Sequence, residues 1–302
     1  MKFVKPLIPL VWLVLAGCAA DPGPSSGDDG TDDTAPGTPG ASGPVVSLQV
    51  VHRGDAAVLE STMAPLRSRG IRASVLAVAE AFAAQCADLK ALQAEGFEIG
   101  IFARPEMSEN GASTLASRTR QEQEALIAAL RDAAETCLGS EVALFGCVEY
   151  DQNSDTYDIV EAMGFEYNVG FVTRTEHQFP GHTNDVYPYC GCGDGRGFWA
   201  VPMHSVFFDG QWLPLADDVF APLVDSTEWG AILGQEFERL REQNRPFQVR
   251  VHTDTTGGDA GRLAAFVALL DRAVQREARF MTVSEYVAWA RTRPTDPVCE
   301  AP

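Results

Sequence analysis

The sequence predicts an α/β protein built as a distorted (β/α) barrel of about seven parallel strands. Short runs rich in β-branched and aromatic residues alternate with longer amphipathic runs, which is typical of parallel strands joined by crossover helices. The alternation extends from Val45 to about Arg293, and a segment of that size is usual for a single barrel domain. Polar groups follow several of the strands, and parallel barrels bind ligands at those strand ends.

The predicted strands are short and mostly apolar. Gly70 follows a helical stretch and Gly96 follows another, as helix C-caps should, and each lies close to the start of a strand. In chain order the strands are Val45–Val51, Ile71–Val78, Phe97–Phe102, Val142–Phe145, Phe165–Val172, Phe198–His204 and Phe247–His252, with a last short one around Phe280.

The helices predicted between these strands are amphipathic. In the last of them, Leu263, Phe266, Val267 and Leu270 recur at three- and four-residue spacing, which indicates a core-facing stripe. The predicted helices include Glu80–Ala94, Ser113–Cys137, Ser154–Met163, Thr227–Gln243 and Ala260–Arg276. Residues 173–197 have no periodicity and carry several glycines and aromatic residues, so we expect a long loop with a binding role.

The N-terminus predicts export and attachment to a membrane. Residues 1–17 have two lysines followed by a short apolar run, which is typical of a signal peptide. The run closes with "LAGC", which resembles a bacterial lipobox and implies that Cys18 is lipidated. Residues 18–44 are then an acidic Gly/Pro/Ser tether, residues 45–293 the barrel and residues 294–302 a C-terminal tail. We therefore expect a lipid-anchored protein of the cell envelope, on its periplasmic or cell-surface face.

The charge balance argues against several partners. Among 302 residues, 23 are Lys or Arg and 42 are Asp or Glu, which gives a formal net charge of −19. Such a chain repels phosphate, so we expect no nucleic-acid partner and no electrostatic binding to anionic lipid.

Six cysteines remain after Cys18, and an even number in an exported protein indicates disulfides. The sequence leaves fifteen pairings open. Cys86 and Cys137 lie on successive predicted helices and are one plausible pair. That pair leaves Cys190 or Cys192 for Cys147 or Cys299.

Acids, bases and two histidines follow the strand ends. His52 and Asp55 follow the first strand, Glu106 the third, Tyr150 the fourth, and His252 ends the seventh. Because the carboxyl ends of parallel strands meet at one rim, we expect these groups to lie near one another.

Several stretches together resemble the polysaccharide deacetylases. "VSLQVVHRG" (46–54) is similar to the strand that usually ends in "TFDDG". "AEGFEIGIFARPEM" (94–107) is similar to "GHEIGNHTYSHP", and "FQVRVHTD" (247–254) to the strand ending in "LHD". The resemblance covers nearly all of residues 45–293. It implies the distorted barrel of that family and an N-acetylated glycan as substrate, chitin-like or peptidoglycan.

In that family a divalent metal, commonly zinc, is held by one aspartate and two histidines, and it activates a water molecule. The metal-aspartate position is Arg53 here, and the two metal-histidine positions are Phe102 and Glu106. Arginine repels a metal ion and phenylalanine cannot bind one. His52 occupies the position of the catalytic base, and Gly146 occupies the position of the arginine that usually orients this base. Only the late histidine, His252, which would protonate the leaving amine, stands as in the family.

These replacements predict an envelope-anchored glycan-binding protein with lost or altered catalysis, and no certain cofactor. Tyr150, Tyr189 and Trp212 are the predicted sugar contacts, because sugar rings stack on aromatic faces. A first alternative is an active hydrolase of amide C–N bonds. Its rearranged divalent metal site would use His52 and Glu106 as ligands, with His252 and Asp55 as catalytic groups. A second alternative is a non-catalytic scaffold lipoprotein.

Overall fold

The structure, a computed structural model, describes residues 43–105, 114–175, 177, 179, 182–190 and 197–293. The predicted signal peptide, Cys18, most of the tether and the C-terminal tail lie outside these ranges, as does Glu106. Among the described residues, no helix combines the length and the apolar character needed to cross a bilayer.

One curled sheet forms the centre of the domain. Seven parallel strands follow one another in the order β10-β1-β2-β3-β4-β5-β7, with β6 antiparallel beyond β7 and β11 pairing with the start of β1. A separate hairpin is formed by β8 and β9. The strands are β1 (Val45–His52), β2 (Ser74–Ala77), β3 (Glu98–Ala103), β4 (Leu144–Cys147), β5 (Tyr167–Val172), β6 (Tyr189–Cys190), β7 (Trp199–Met203), β8 (Ser205–Phe208), β9 (Gln211–Pro214), β10 (Phe247–His252) and β11 (Arg279–Met281).

Helices connect most of the parallel strands. Asp55, Thr119, Asn153 and Thr282 accept hydrogen bonds from the first turns of α1, α4, α5 and α9, so each helix begins at a polar cap. The helices are α1 (Ala56–Arg67), α2 (Ala79–Ala84), α3 (Cys86–Ala94), α4 (Arg120–Leu138), α5 (Ser154–Ala162), α6 (Asp217–Phe220), α7 (Ser226–Glu242), α8 (Ala260–Gln275) and α9 (Val283–Ala290). Thr253–Gly257 form a π-helical turn after β10.

A single large hydrophobic cluster holds these layers together. It includes residues from Val45 to Val287, and every residue of β1 is buried because the strand is covered on both faces. The part of the chain from residue 43 onward therefore carries its own core.

The predicted α/β barrel class is confirmed, with differences in several elements. The predicted helix Glu80–Ala94 is two helices, because Gln85 breaks the helical backbone between them. The predicted helix Ser113–Cys137 begins at Arg120, where Thr119 and Glu122 form a capping box. Neither α1 nor the β8–β9 hairpin was among the predicted elements.

The cysteines confirm one predicted pair and exclude one of the two alternatives left open for the second. Cys86 and Cys137 form a disulfide, and Cys190 is disulfide-bonded as well. Cys147 is a free, buried thiol, so the alternative in which Cys190 or Cys192 pairs with Cys147 is wrong, and the alternative with Cys299 stays a prediction. Burial raises the pKa of the Cys147 thiol to about 12, which keeps it protonated and unreactive.

Candidate functional site

His252, the last residue of β10, lies between two aspartates. Its Nδ1 is 2.7 Å from Asp217 Oδ1 and its Nε2 is 3.2 Å from Asp218 Oδ2. Asp217 is fully buried and also accepts hydrogen bonds from the backbone N–H of His252 and from the hydroxyl of Thr256. Because a carboxylate only accepts, Nδ1 of His252 donates to Asp217, and this bond fixes the ring.

Asp217 and Asp218 are brought to His252 by the chain that follows the β8–β9 hairpin. Residue Ala216 pairs with Arg250 in parallel fashion beside β10, and α6 begins at the next residue. The two aspartates therefore lie at the C-terminal end of β10. Sequence reasoning did not single out either of them.

His52, at the end of β1, is fully buried and bonded through both ring nitrogens. Nε2 lies 2.9 Å from Oε1 of Gln85, and Nδ1 lies 3.0 Å from the hydroxyl of Thr253. Gln85 donates through its amide nitrogen to the carbonyl of Gly54, so its Oε1 is the acceptor for His52. The ring is therefore the Nε2–H tautomer, with Thr253 donating to Nδ1. Burial lowers the pKa of His52 below its usual 6.5, which keeps the ring neutral.

Arg53 contacts Asp218, one of the two aspartates that contact His252. Its Nη1 lies 3.7 Å from Asp218 Oδ2, and its Nε donates to Asp254 Oδ1 at 3.0 Å. The Arg53 side chain is only 13% exposed, so its charge lies within the strand-end cluster rather than in solvent. Arg53, Asp218, His252 and Asp217 thus form one continuous chain of polar contacts.

The barrel interior beside His252 is filled by large side chains. The Phe102 ring packs edge-on against His252 at 6.2 Å between centroids. The buried guanidinium of Arg250 lies 4.3 Å from the ring centre of Tyr150 and donates to Gln49 Oε1 and to the carbonyl of Val169. The Phe102 ring therefore lies directly beside the histidine, and the Arg250 cation lies 5.7 Å from the centre of that same ring.

One group of described residues has the side-chain types of a metal site. Ligand atoms of Asp217, Asp218 and His252 lie within 4.8 Å of one another. However, each ring nitrogen of His252 already faces a carboxylate, Asp217 has three donor groups on its oxygens, and Arg53 places a cation beside Asp218. This donor set fits a proton-holding network and does not fit a divalent ion.

The predicted site residues are only partly brought together. Asp55 is exposed and caps α1 by accepting from the backbone N–H groups of Ala57 and Val58. His52 has no free ring nitrogen for a metal, and Glu106 lies outside the described residues. The predictions of a metal role for His52 and Glu106 and of a catalytic role for Asp55 stay predictions.

The predicted sugar contacts differ in exposure. Tyr150 and Tyr189 are buried, with relative exposures of 4% and 6%, and the Tyr189 ring stacks on His182. Trp212, on β9, is partly exposed and lies beside the exposed ring of Phe207, with the Arg174 guanidinium 4.2 Å from its ring centre. Trp212 is therefore the one of the three that can meet a sugar without a change of conformation.

The buried histidines predict a stability that depends on pH. Burial lowers the pKa of His52 and of His204, so in mild acid the unfolded chain binds more protons than the folded one. The contribution of each histidine to the free energy of unfolding is complete above pH 6.5. It is lost as the pH falls from 6.5 toward the lowered pKa, by up to about 1.4 kcal/mol per pH unit for each histidine.

Urea unfolding at several pH values below 6.5 measures how the free energy of unfolding changes with pH. This change per pH unit should be smaller for His52→Gln than for the wild type. An unchanged slope would mean that His52 is protonated in the fold.

Comparison with known proteins supports the fold. No protein-family profile matches the chain, and no protein of curated function matches it in sequence. Solved structures do match. One is the Puue allantoinase, with a TM-score of 0.64 and 14% identity, covering 83% of this chain and 92% of that one. Another is the peptidoglycan deacetylase PdaC from Bacillus subtilis, with a TM-score of 0.52 and 11% identity, covering 82% and 92%.

A third similar structure is a mutant of BA3943, described as a CE4 family pseudoenzyme. Its TM-score is 0.52 at 8% identity, and the match covers 81% of this chain and 67% of that one. At these identities the likeness establishes the polysaccharide deacetylase-like fold. The fold alone accommodates both active and inactive proteins.

Proposed function

We propose that this protein is an envelope-anchored glycan-binding protein with a deacetylase-like fold. It binds an N-acetylated glycan of the chitin or peptidoglycan type and does not hydrolyse it through a metal-activated water. The observation that carries the proposal is the set of contacts at the end of β1. Both ring nitrogens of His52 are bonded, and Arg53 is paired with Asp218 and Asp254.

Metal-activated hydrolysis requires an ion with an open position for water. At the end of β1 the side chain that would face the ion is a guanidinium, and the ring of Phe102 packs against His252. Opening this space would leave Arg53 or Asp218 as a partly buried charge without its partner, which is costly. The contacts therefore favour a site that cannot activate water with a metal.

Glycan binding is supported by the exposed aromatic pair on the β8–β9 hairpin. Phe207 is 60% exposed, and its ring lies 5.3 Å from that of Trp212. Sugar rings pack on such faces through their C–H groups, and neighbouring polar groups set the orientation. Two structural neighbours, a peptidoglycan deacetylase and a family 4 carbohydrate esterase, are named for carbohydrate substrates. The proposed anchoring of the protein to the envelope is based on the lipobox-like sequence that ends at Cys18.

The proposal predicts binding without turnover. Titration with chitin or peptidoglycan oligosaccharides should give a saturable change in tryptophan fluorescence, and Trp212→Phe should reduce it several-fold. Trp199→Phe is the matched control, because Trp199 is also partly buried but lies at the start of β7. No acetate should be released, with or without added zinc.

Two outcomes would contradict this function. One is the absence of a saturable response with any of the oligosaccharides. The other is acetate release that stops when a chelator removes the metal, which would mean that the site is rebuilt around an ion.

A second candidate function is hydrolysis of a C–N bond without a metal. The hydrogen bond from Nδ1 of His252 to the buried Asp217 and the contact between Nε2 and the partly exposed Asp218 form a chain that can hold and move a proton. Release of acetate or ammonia that persists with a chelator and disappears in His252→Gln would favour this candidate over binding alone.

A further inference from the structure

Three arginines lie beside aromatic rings at the N-terminal end of the barrel strands. Arg279 begins β11 and Trp199 begins β7, while Arg291 and Arg293 follow the end of α9. We call the following set the basal surface: Arg279, Arg291, Arg293, Trp199, Trp289 and Tyr187. The site with His252 lies at the opposite, C-terminal ends of the strands.

Each arginine of the basal surface lies over a ring. The Arg291 guanidinium is 5.6 Å from the centre of Trp199, and that of Arg279 is 5.8 Å from Trp289. Arg293 lies 4.9 Å from Tyr187 and 5.0 Å from Trp289. The rings hold the guanidinium groups in place by cation–π contact without neutralising their charge.

Within the described part of the chain, these arginines have no ion pair with a carboxylate. The Nε atoms of Arg279 and Arg293 are buried and also have no hydrogen-bond acceptor there, so a ligand would meet the terminal nitrogens of these guanidinium groups. Of the carboxylates near this end, Glu285 pairs with Arg72, and Glu98 accepts from the hydroxyl of Ser74 and from α9. Glu166 and Glu277 are exposed at the same end, and among the described residues neither forms an ion pair with these arginines. In a chain with a net charge of −19, three arginines at one end without an ion pair among the described residues indicate a ligand that carries negative charge.

The preceding segment of the chain joins the barrel at the same end. The backbone N–H of Arg279 donates to the carbonyl of Pro44 at 2.8 Å, and Pro44 precedes the first residue of β1. The described chain therefore enters the domain beside the basal surface.

We propose that the basal surface rests on a bilayer that contains anionic phospholipid. Arginine binds phosphate through two parallel hydrogen bonds, and tryptophan and tyrosine are the residues enriched at the level of the lipid headgroups. The total charge predicts no binding to anionic lipid, and this proposal departs from that expectation because screening limits the electrostatic contact to groups within about 10 Å of the lipid. The contact orients the domain with His252 facing away from the membrane, toward its ligand.

The test uses the chain from residue 43 to 302, which has its own core, so that lipidation plays no part. It should sediment with vesicles of phosphatidylglycerol and phosphatidylcholine, and much less with phosphatidylcholine alone or at high salt. Each arginine near an anionic surface contributes about five-fold in partitioning, so replacing Arg279, Arg291 and Arg293 with glutamine should lower binding on the order of 100-fold.

The matched control is Arg104→Gln, compared with Arg291→Gln. Both side chains are exposed, but Arg104 follows the C-terminal end of β3, at the other end of the barrel. We expect about five-fold weaker binding for Arg291→Gln and no change for Arg104→Gln. Equal losses for the two variants, or equal binding to both kinds of vesicle, would overturn the proposal.

Discussion

Replacing Asp217 with alanine should lower the free energy of unfolding by about 3–5 kcal/mol. Asp217 is fully buried and accepts from Nδ1 and the backbone N–H of His252 and from the hydroxyl of Thr256. Its removal leaves these three donors buried without an acceptor, and each such group costs about 1–3 kcal/mol. Urea unfolding measures the loss.

The neighbouring aspartate provides the control. Asp218 contacts the other nitrogen of His252 and also Arg53, but it is 30% exposed, so water can replace it. Asp218→Ala should therefore cost about 1 kcal/mol or less. Should Asp217→Ala not fold, Asp217→Asn keeps the shape while removing the charge. The nitrogen-15 signals of His252 should then show a change of tautomer. Equal costs for Asp217→Ala and Asp218→Ala would mean that the buried network does not stabilise the fold.

The fold was predictable because its signals are local and repeated. The seven parallel strands are buried on both faces, so each one corresponds to an apolar run in the sequence. The helices between the strands correspond to amphipathic segments. The hairpin was missed although Asp209 and Gly210 form its turn with positive φ, and an Asp-Gly pair between apolar runs is a hairpin signal. The boundaries of α4 and of the α2–α3 pair depended on Thr119 and Gln85, single residues that no periodicity marks.

The site was less predictable than the fold. His252 could be found because it ends a strand, but nothing in the sequence distinguishes Asp217 among 42 acidic residues. Asp217 matters because Ala216 pairs with Arg250 beside β10, a contact between residues 34 positions apart in the chain. His52 likewise ends a strand as predicted, yet its partners Gln85 and Thr253 come from two distant segments. Which residues contact a given side chain depends on the tertiary structure, whereas its place at the end of a strand predicts only where that side chain lies.

Removing the Cys86–Cys137 disulfide should lower the free energy of unfolding by about 4 kcal/mol. The two cysteines are 51 residues apart, and a cross-link that closes a loop of that length restricts the unfolded chain by about this amount. The comparison is between the wild type and the double variant Cys86→Ala/Cys137→Ala, unfolded with urea under non-reducing conditions. Cys147→Ala is the control, since it removes a buried thiol that forms no cross-link and should cost only about 1 kcal/mol.

The same disulfide is expected to affect the site, because Cys86 begins α3 directly after Gln85. Gln85 accepts from Nε2 of His52 and donates to the carbonyl of Gly54, so the start of α3 holds the end of β1 in place. The double variant should therefore exchange the Nε2–H proton of His52 faster than the wild type does, whereas Cys147→Ala should not. If the double variant were as stable as Cys147→Ala, the loop would already be restricted by other contacts in the unfolded chain. If its stability fell while the exchange at His52 stayed the same, the disulfide would act on the unfolded chain alone, and the position of His52 would depend on Thr253 rather than on α3.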